Sequence, residues 1–422
     1  MIQALKKLAR WDDKGRCWFP GGMGPVNEDG RQATSGYGSL PAPVIAPLVK
    51  YWKATGGAEG LEFARAYTEG MIENLQPHGA RFQPDGSFSG HSHATMHSVW
   101  GVAELGAATG ERRYIDFAKR VWDWILTRGP GTGWFPASTD DMYAFETCCL
   151  SDMMSITACL GRSGHPEYYD FLERFFRNYI SNLQFVLTPE FEAYYRSLHT
   201  EPGKHAKAWP VQITESIERS LTDLKKYQGG VIGGAGLHDY ENSLLGYVSG
   251  FMMYGCCAPE GMRAIHTTWY NTIDQASGPK GRKRGVYVNL SLNRESPWGR
   301  VMSFVPEQGR ITVKAAVKDA FYLRPPHWAP RDQVRAFVGT KPVPTKWDGV
   351  YVRFQAKLGD ELTITYPMVE FTHHMKGLWE LRAPDLEMTY HWRGNMVVGT
   401  DPVTDKTPIF RRNPRILSEP PL

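Results

Sequence analysis

Thr109-Gly110-Glu111-Arg112-Arg113-Tyr114-Ile115-Asp116-Phe117-Ala118-Lys119-Arg120-Val121-Trp122-Asp123-Trp124-Ile125 is the stretch on which the fold turns. Tyr114, Phe117, Ala118, Val121, Trp122 and Ile125 recur at helical spacing and form one apolar stripe. Gly110, just before it, can take the left-handed conformation that closes a preceding helix. The segment therefore reads as the second arm of a helical hairpin. Thr55-Gly56 is likewise followed by Phe63-Ala64, and Ser163-Gly164 by Phe171, so glycines 56, 110 and 164 and phenylalanines 63, 117 and 171 share a period of 54 residues. A period held over three copies marks one supersecondary unit used repeatedly, and hairpins that cannot bury their own faces stack on neighbours.

Further helices are expected near residues 212–227, 241–255 and 259–276, the last with Pro259 in its first turn, where a missing N–H costs nothing. The pattern predicts an (α/α) toroid of helical hairpins with its site at one mouth. From residue 42 onward it supplies roughly nine helices where six hairpins need about twelve, so the ring reads as short, and N-terminally incomplete. After Lys283 the period changes. Val286–Leu290, Arg310–Val313, Ala320–Leu323, Val334–Val338, Tyr351–Phe354 and Glu361–Tyr366 read as short strands between Gly, Pro and Asp turns, a pattern that predicts a β-sandwich. The expected division is 1–280, a toroidal catalytic domain, and 281–422, a β-sandwich domain.

Composition narrows the function classes. The chain has 422 residues, 42% of them hydrophobic and 22% charged, enough to bury a large core. Its 48 basic and 44 acidic residues leave a formal charge of +4, too balanced for a nucleic-acid footprint. Lys280-Gly281-Arg282-Lys283-Arg284, the one dense basic run, reads as a solvated linker. No run of apolar residues is long enough for a membrane span, and residues 1–8 lack the core of a signal peptide. A cytoplasmic, reducing setting is expected, with no nucleic-acid or membrane partner and with a homodimer left open.

Four of the six cysteines come as adjacent pairs, Cys148-Cys149 and Cys256-Cys257. Neighbouring cysteines are poorly placed to bridge each other, and a chain this long does not need a disulfide framework. Glu146, Cys148, Cys256 and Cys257 would supply one carboxylate and three thiolates, a set that tetrahedral Zn²⁺ accepts. Each pair sits where a helix is expected to begin, so the N-terminal dipoles as well as a metal would favour thiolate there. A purely structural zinc would use the same four ligands.

Glu146-Thr147-Cys148 opening one helix and Cys256-Cys257-Ala258-Pro259 opening a later one, in an (α/α) toroid followed by a β-sandwich, resembles glycoside hydrolase family 127, the β-L-arabinofuranosidases with a zinc-bound cysteine nucleophile. Gly90-His91 with Thr109-Gly110 downstream is similar to that family's glycine-histidine helix. Phe171-Leu172-Glu173-Arg174 resembles its Glu-Arg segment. Phe321–Ala329, Gly359-Asp360 and Tyr366-Pro367-Met368 resemble its sandwich. The likeness covers roughly residues 85–370.

The resemblance implies zinc ligation by Glu146, Cys148, Cys256 and Cys257, with Cys256 as nucleophile of a retaining glycosidase and His91 and Glu173 contacting a small carbohydrate or glycan substrate. One position departs from the family. Its acid/base glutamate falls here on Pro130, and no Glu lies between Arg113 and Phe145. Asp141 is the first substitute, with Asp140, Asp239 and Glu241 behind it. Two further readings follow from that gap: a zinc-stapled carbohydrate-binding protein without turnover, and a toroid lyase or epimerase with structural zinc and His91 or His93 as base. His93 and His97, four apart, could hold a second metal or simply face a polar cavity. Trp100 and Trp134 read as core or as sugar-stacking rings, and Cys149 and Cys159 as buried apolar residues.

Overall fold

The structure, a computed structural model, describes residues 1–19, 44–75, 81–139, 145–185, 217–233, 256–278, 282–376 and 387–402, with isolated positions between 187 and 196. Elements are numbered in chain order among these. A short helix α1 (Ile2–Leu8) and a two-stranded hairpin, β1 (Arg10–Trp11) with β2 (Cys17–Trp18), precede the repeats.

The three expected hairpins are present: α2 (Ile45–Thr55) with α3 (Ala58–Ile72), α4 (Ser92–Thr109) with α5 (Arg112–Leu126), and α6 (Thr147–Arg162) with α7 (Tyr169–Asn178). Gly56 and Gly110 close α2 and α4 at φ 73° and 80°, the left-handed conformation the 54-residue period implied. Two more helices follow, α8 (Ile217–Lys226) and α9 (Cys257–Thr272). The expected helix at 241–255 lies outside the described residues.

The predicted stripe of α5 is buried as read, Tyr114 through Ile125. Helix α6 goes further. Every residue from Thr147 to Gly161 is buried, so it is the axis on which α4 and α9 pack. Close packing onto it depends on small residues. A Cβ on Gly261 of α9 would lie 2.4 Å from Val231 Cγ1 and 3.2 Å from Thr147 Cγ2, so its absence lets the start of α9 approach the start of α6.

Helix gives way to strand at Ile273, where β3 (Ile273–Ala276) continues directly from α9. It edges a five-stranded sheet in the order β11-β12-β8-β4-β3, built from β4 (Gly285–Val288), β8 (Ala320–Leu323), β11 (Trp347–Asp348) and β12 (Tyr351–Gln355). A six-stranded sheet, order β10-β9-β13-β7-β6-β5, contains β5 (Arg294–Ser296), β6 (Gly299–Ser303), β7 (Arg310–Ala315), β9 (Arg335–Val338), β10 (Lys341–Val343) and β13 (Glu361–Thr365). All pairings in the two sheets are antiparallel except β4 with β8. Val286, Val288, Phe321, Leu323 and Val352 of one sheet and Val301, Ile311, Val313, Leu362 and Ile364 of the other share one apolar core. A third sheet, β14 (Glu370–Lys376), β15 (Glu387–Arg393) and β16 (Met396–Asp401), places Tyr390, Trp392 and Val397 in the core of the helical part instead.

The basic run is not the solvated linker expected. Within its described residues Arg282 grips Asp274 through two nitrogens at 3.0 and 2.5 Å and lies 3.9 Å over Tyr287, while Lys283 meets Asp348 at 2.6 Å. Strand β3 supplies Asp274, so Arg282 pins that strand. Among the described residues no helix is long and apolar enough to cross a membrane.

Candidate functional site

Two helix openings converge. Glu146 caps α6 in extended conformation, and the α6 start is tied down by Thr147, whose N–H donates to Gly233 O at 2.9 Å and whose hydroxyl donates to Ile232 O at 2.7 Å. Cys256 caps α9 and Cys257 is its first residue. With Gly261 permitting close approach, Cys148 Sγ comes within 3.4 Å of Cys257 Sγ, and Cys257 Sγ within 3.7 Å of Cys256 Sγ. All three sulfurs lie within 4.8 Å of one another, and none is in a disulfide. Glu146 stands at the edge of the group, its Oε2 3.7 Å from Cys148 Sγ and 2.9 Å from His91 Nε2.

Zn–S bonds of about 2.3 Å at the tetrahedral angle put two sulfurs about 3.8 Å apart, and a carboxylate oxygen about 3.6 Å from a sulfur. The observed edges of 3.4, 3.7 and 3.7 Å fit that set. The thiols are electronically unequal. Hydrogen bonding from Cys148, then from Cys257, pulls Cys256 down to about 3, with the His93 charge adding to the effect. Burial pushes Cys148 up; Cys257 is lowered by Cys148 but raised more by Cys256 and by burial. Cys256 is part-buried where the other two are buried.

A second cluster adjoins the first. His91, the N-cap of α4, accepts the Ala94 N–H at Nδ1. Two and six residues on, His93 Nδ1 lies 2.7 Å from Asp152 Oδ2 and His97 Nδ1 lies 3.1 Å from Asp152 Oδ1. Arg263 of α9 reaches the same carboxylate at 2.6 Å and also pairs with Glu260. Asp152 is fully buried; burial alone would raise it, but His93 and Arg263 hold it well below the usual carboxylate range. Burial would lower His93, but the Asp152 carboxylate outweighs it and pushes the imidazolium up to about 9. His93, His97 and Asp152 are close enough to share a cation, yet the Arg263 guanidinium already supplies positive charge there.

The other expected site residues fall differently. Glu173, read as a substrate contact, is fully buried on α7. One carboxylate oxygen accepts from Arg177 Nε at 2.9 Å and the other from the Ser291 N–H at 2.7 Å, tying α7 to the β part. Asp141, Asp140, Asp239 and Glu241 lie outside the described residues. Trp134 is core, and Trp100 is a buried platform under Arg263 at 4.2 Å and Lys50 at 4.8 Å. Cys149 and Cys159 are buried, as expected. Sequence reading passed over Asp152 and Arg263. A single carboxylate inside a helix otherwise made of small and apolar residues was the available signal. A cavity of about 810 Å³ lies at the other end of α6, between the loops of Gly110 and Gly164 and Tyr287, Tyr322 and Tyr351. It is remote along the helix from the thiols and holds none of them.

Helical hairpins followed by β-sheets thus carry a carboxylate and three thiols at two helix openings. No protein-family model matches the chain, and no curated protein matches it in sequence. Solved structures match in fold. One described as a glycoside hydrolase has a TM-score of 0.56 at 14% identity, over 84% of this chain and 59% of its own. A GH127 β-arabinofuranosidase has a TM-score of 0.54 at 17% identity, over 90% of this chain and 58% of its own. The GH127 β-L-arabinofuranosidase from Geobacillus stearothermophilus T6 has a TM-score of 0.51 at 15% identity, over 84% and 57%. The resemblance read from the sequence thus holds at the level of the fold. The chain spans less than three fifths of the length of these structures.

Proposed function

We propose that this chain is a retaining glycoside hydrolase that cleaves β-L-arabinofuranosides or a related furanoside, with Cys256 as nucleophile. The observation that carries the reading is the meeting of Cys148, Cys256 and Cys257 from two distant helix openings with edges that suit one tetrahedral ion. Glu146, Cys148, Cys256 and Cys257 would hold Zn²⁺, which when bound keeps sulfur as thiolate and eases its departure. We read residues 1–280 as an (α/α) toroid and 281–422 as the β-sandwich domain that braces it.

On this reading the Cys256 sulfur attacks the anomeric carbon and the sugar leaves its aglycone for a thioglycosyl enzyme. Water then displaces the sulfur, and two inversions give net retention. His91, hydrogen-bonded to Glu146, lines the opening where the sugar hydroxyls would sit. Glu173 takes a bracing role, since both its oxygens are spent on Arg177 and Ser291. For the proton on the leaving oxygen the sequence offers Asp141, and the described residues offer a histidine at the same helix opening.

Purified protein should carry stoichiometric zinc by metal analysis and release arabinose from an aryl β-L-arabinofuranoside. Cys256→Ser should lower turnover on the order of 10⁵- to 10⁶-fold with the fold kept, as removal of a nucleophile does elsewhere. A folded Cys256→Ser protein that still hydrolyses the substrate would refute the reading. Pro130, buried where the family has its acid/base glutamate, favours a second reading, a zinc-stapled carbohydrate-binding protein. That reading calls for sugar affinity by calorimetry with no product from even the most activated aryl furanoside.

A further inference from the structure

We propose that His93, oriented by Asp152, is the proton donor to the leaving oxygen in the first displacement and the base toward water in the second. This inference rests on the glycosidase reading of the same site.

Four observations lead to it. The 113–145 stretch has no Glu at the family's position, and its described carboxylates are engaged: Asp116 with Arg112, Asp123 with Lys119 and Tyr168. Asp152 is the only carboxylate of α6, fully buried, and its Oδ2 lies 2.7 Å from His93 Nδ1. A carboxylate accepting at Nδ1 fixes the ring and its tautomer, which leaves Nε2, on the far side of the imidazole, to exchange the catalytic proton. His93 also adjoins the thiol cluster: its ring stands 6.1 Å from that of His91, whose Nε2 lies 2.9 Å from Glu146 Oε2. Finally, Arg263 and His97 share Asp152 Oδ1, so the carboxylate stays anchored when His93 gives up its proton. The groups that face His93 are His97 and the N-cap His91 of its own helix, Asp152 of α6 with its N-cap Glu146, and Glu260 and Arg263 of α9 with its N-cap Cys256. Within this set His93 makes the shorter imidazole contact with the buried Asp152, 2.7 Å against 3.1 Å for His97.

The steps balance. The Cys256 sulfur pair forms the S–C1 bond as the C1–O bond breaks onto the leaving oxygen, which takes the proton of His93 Nε2 and departs as an alcohol. Neutral Nε2 then takes a proton from water while the water oxygen forms the C1–O bond and the S–C1 pair returns to sulfur. Glycoside and water become sugar and alcohol, with His93 protonated again.

Wild type, His93→Gln, Asp141→Asn and Cys256→Ser, all full length and zinc-loaded, are compared on an alkyl arabinofuranoside and on a dinitrophenyl furanoside. The latter departs with little acid assistance. His93→Gln should lose about 10²- to 10⁴-fold in kcat/KM on the alkyl substrate, yet keep its dinitrophenol burst within about tenfold. Azide should accelerate its turnover and give a glycosyl azide. A folded His93→Gln protein that loses both substrates equally, or neither, overturns the assignment, as does the same leaving-group signature in Asp141→Asn. Should His93→Gln fail to fold by circular dichroism, Asp152→Asn decides: a smaller loss confined to the alkyl substrate supports the assignment, and a uniform loss overturns it. Cys256→Ser retaining full activity, or wild type hydrolysing neither substrate, strikes the glycosidase reading itself, and with it the role of His93.

Discussion

The opening of α6 and the face of α7 that meets the sheets are both buried and both rich in ionisable groups, and they differ in how those groups are matched. On α7 every carboxylate has its complement. Asp170 takes Arg324 Nη1 and the His327 N–H, each at 2.6 Å, and Glu173 takes Arg177 and the Ser291 N–H. Asn178 donates to Asn395 O and accepts from the Val397 N–H. At the α6 opening three sulfurs and a carboxylate press on one another, with His91 Nε2 2.9 Å from the carboxylate. Buried charges that are fully paired hold two bodies in register. Like donors gathered at two helix N-termini drive one another's pKa values apart, which is the arrangement of a site built for an ion or for chemistry.

That contrast can be broken most forcefully at Asp170. Asp170→Ala leaves Arg324, only 2% exposed, without its carboxylate, and should cost about 3–5 kcal/mol in chemical denaturation. Zinc content of the folded fraction should stay unchanged. Equal loss of zinc would mean the two regions are one cooperative unit.

Gly261→Ala probes the other side. The added methyl meets Val231 at 2.4 Å and should cost about 1–3 kcal/mol while pushing the start of α9 from that of α6. Here zinc affinity, measured by chelator competition, should fall by more than the stability loss alone explains. An unchanged affinity would show that the thiols do not depend on this approach.

The smallest effect is electrostatic. His93 is raised from its ordinary value to about 9, so its pairing with Asp152 stabilises the fold fully below about pH 6.5 and the contribution fades as pH climbs through 9. Asp152, held low, contributes above about pH 4 and loses its share as pH falls below that. The melting temperature should therefore decline between pH 7 and 9.5, and His93→Gln should flatten that decline. A wild-type profile that is flat across this window would contradict the pairing.

Much of the helical part was readable. Gly56, Gly110 and Gly164 punctuate hairpins because positive φ is nearly free only to glycine, and the stripe from Tyr114 to Ile125 is buried because one face of a helix must be. Six strands were readable from alternation and turn residues. Strand β3 was not, since Ile273–Ala276 continues a helical pattern and becomes strand only by pairing with β4. The burial of Glu173 was hidden for a similar reason. A charged residue on an amphipathic helix looks solvent-facing until a sheet covers it.

By itself the sequence determined that two helices would open on cysteines and that hairpins would precede strands, because helix starts, glycine stops and residue periodicity are local properties of the chain. Only the tertiary structure decided that residues more than a hundred positions apart would bring their sulfurs within 4 Å, that Asp152 would sit between His93 and Arg263, and that Glu173 would be buried against Arg177 and the Ser291 N–H. Those outcomes depend on which helix packs on which, and that is set by the shape and burial of whole elements rather than by any short run of residues.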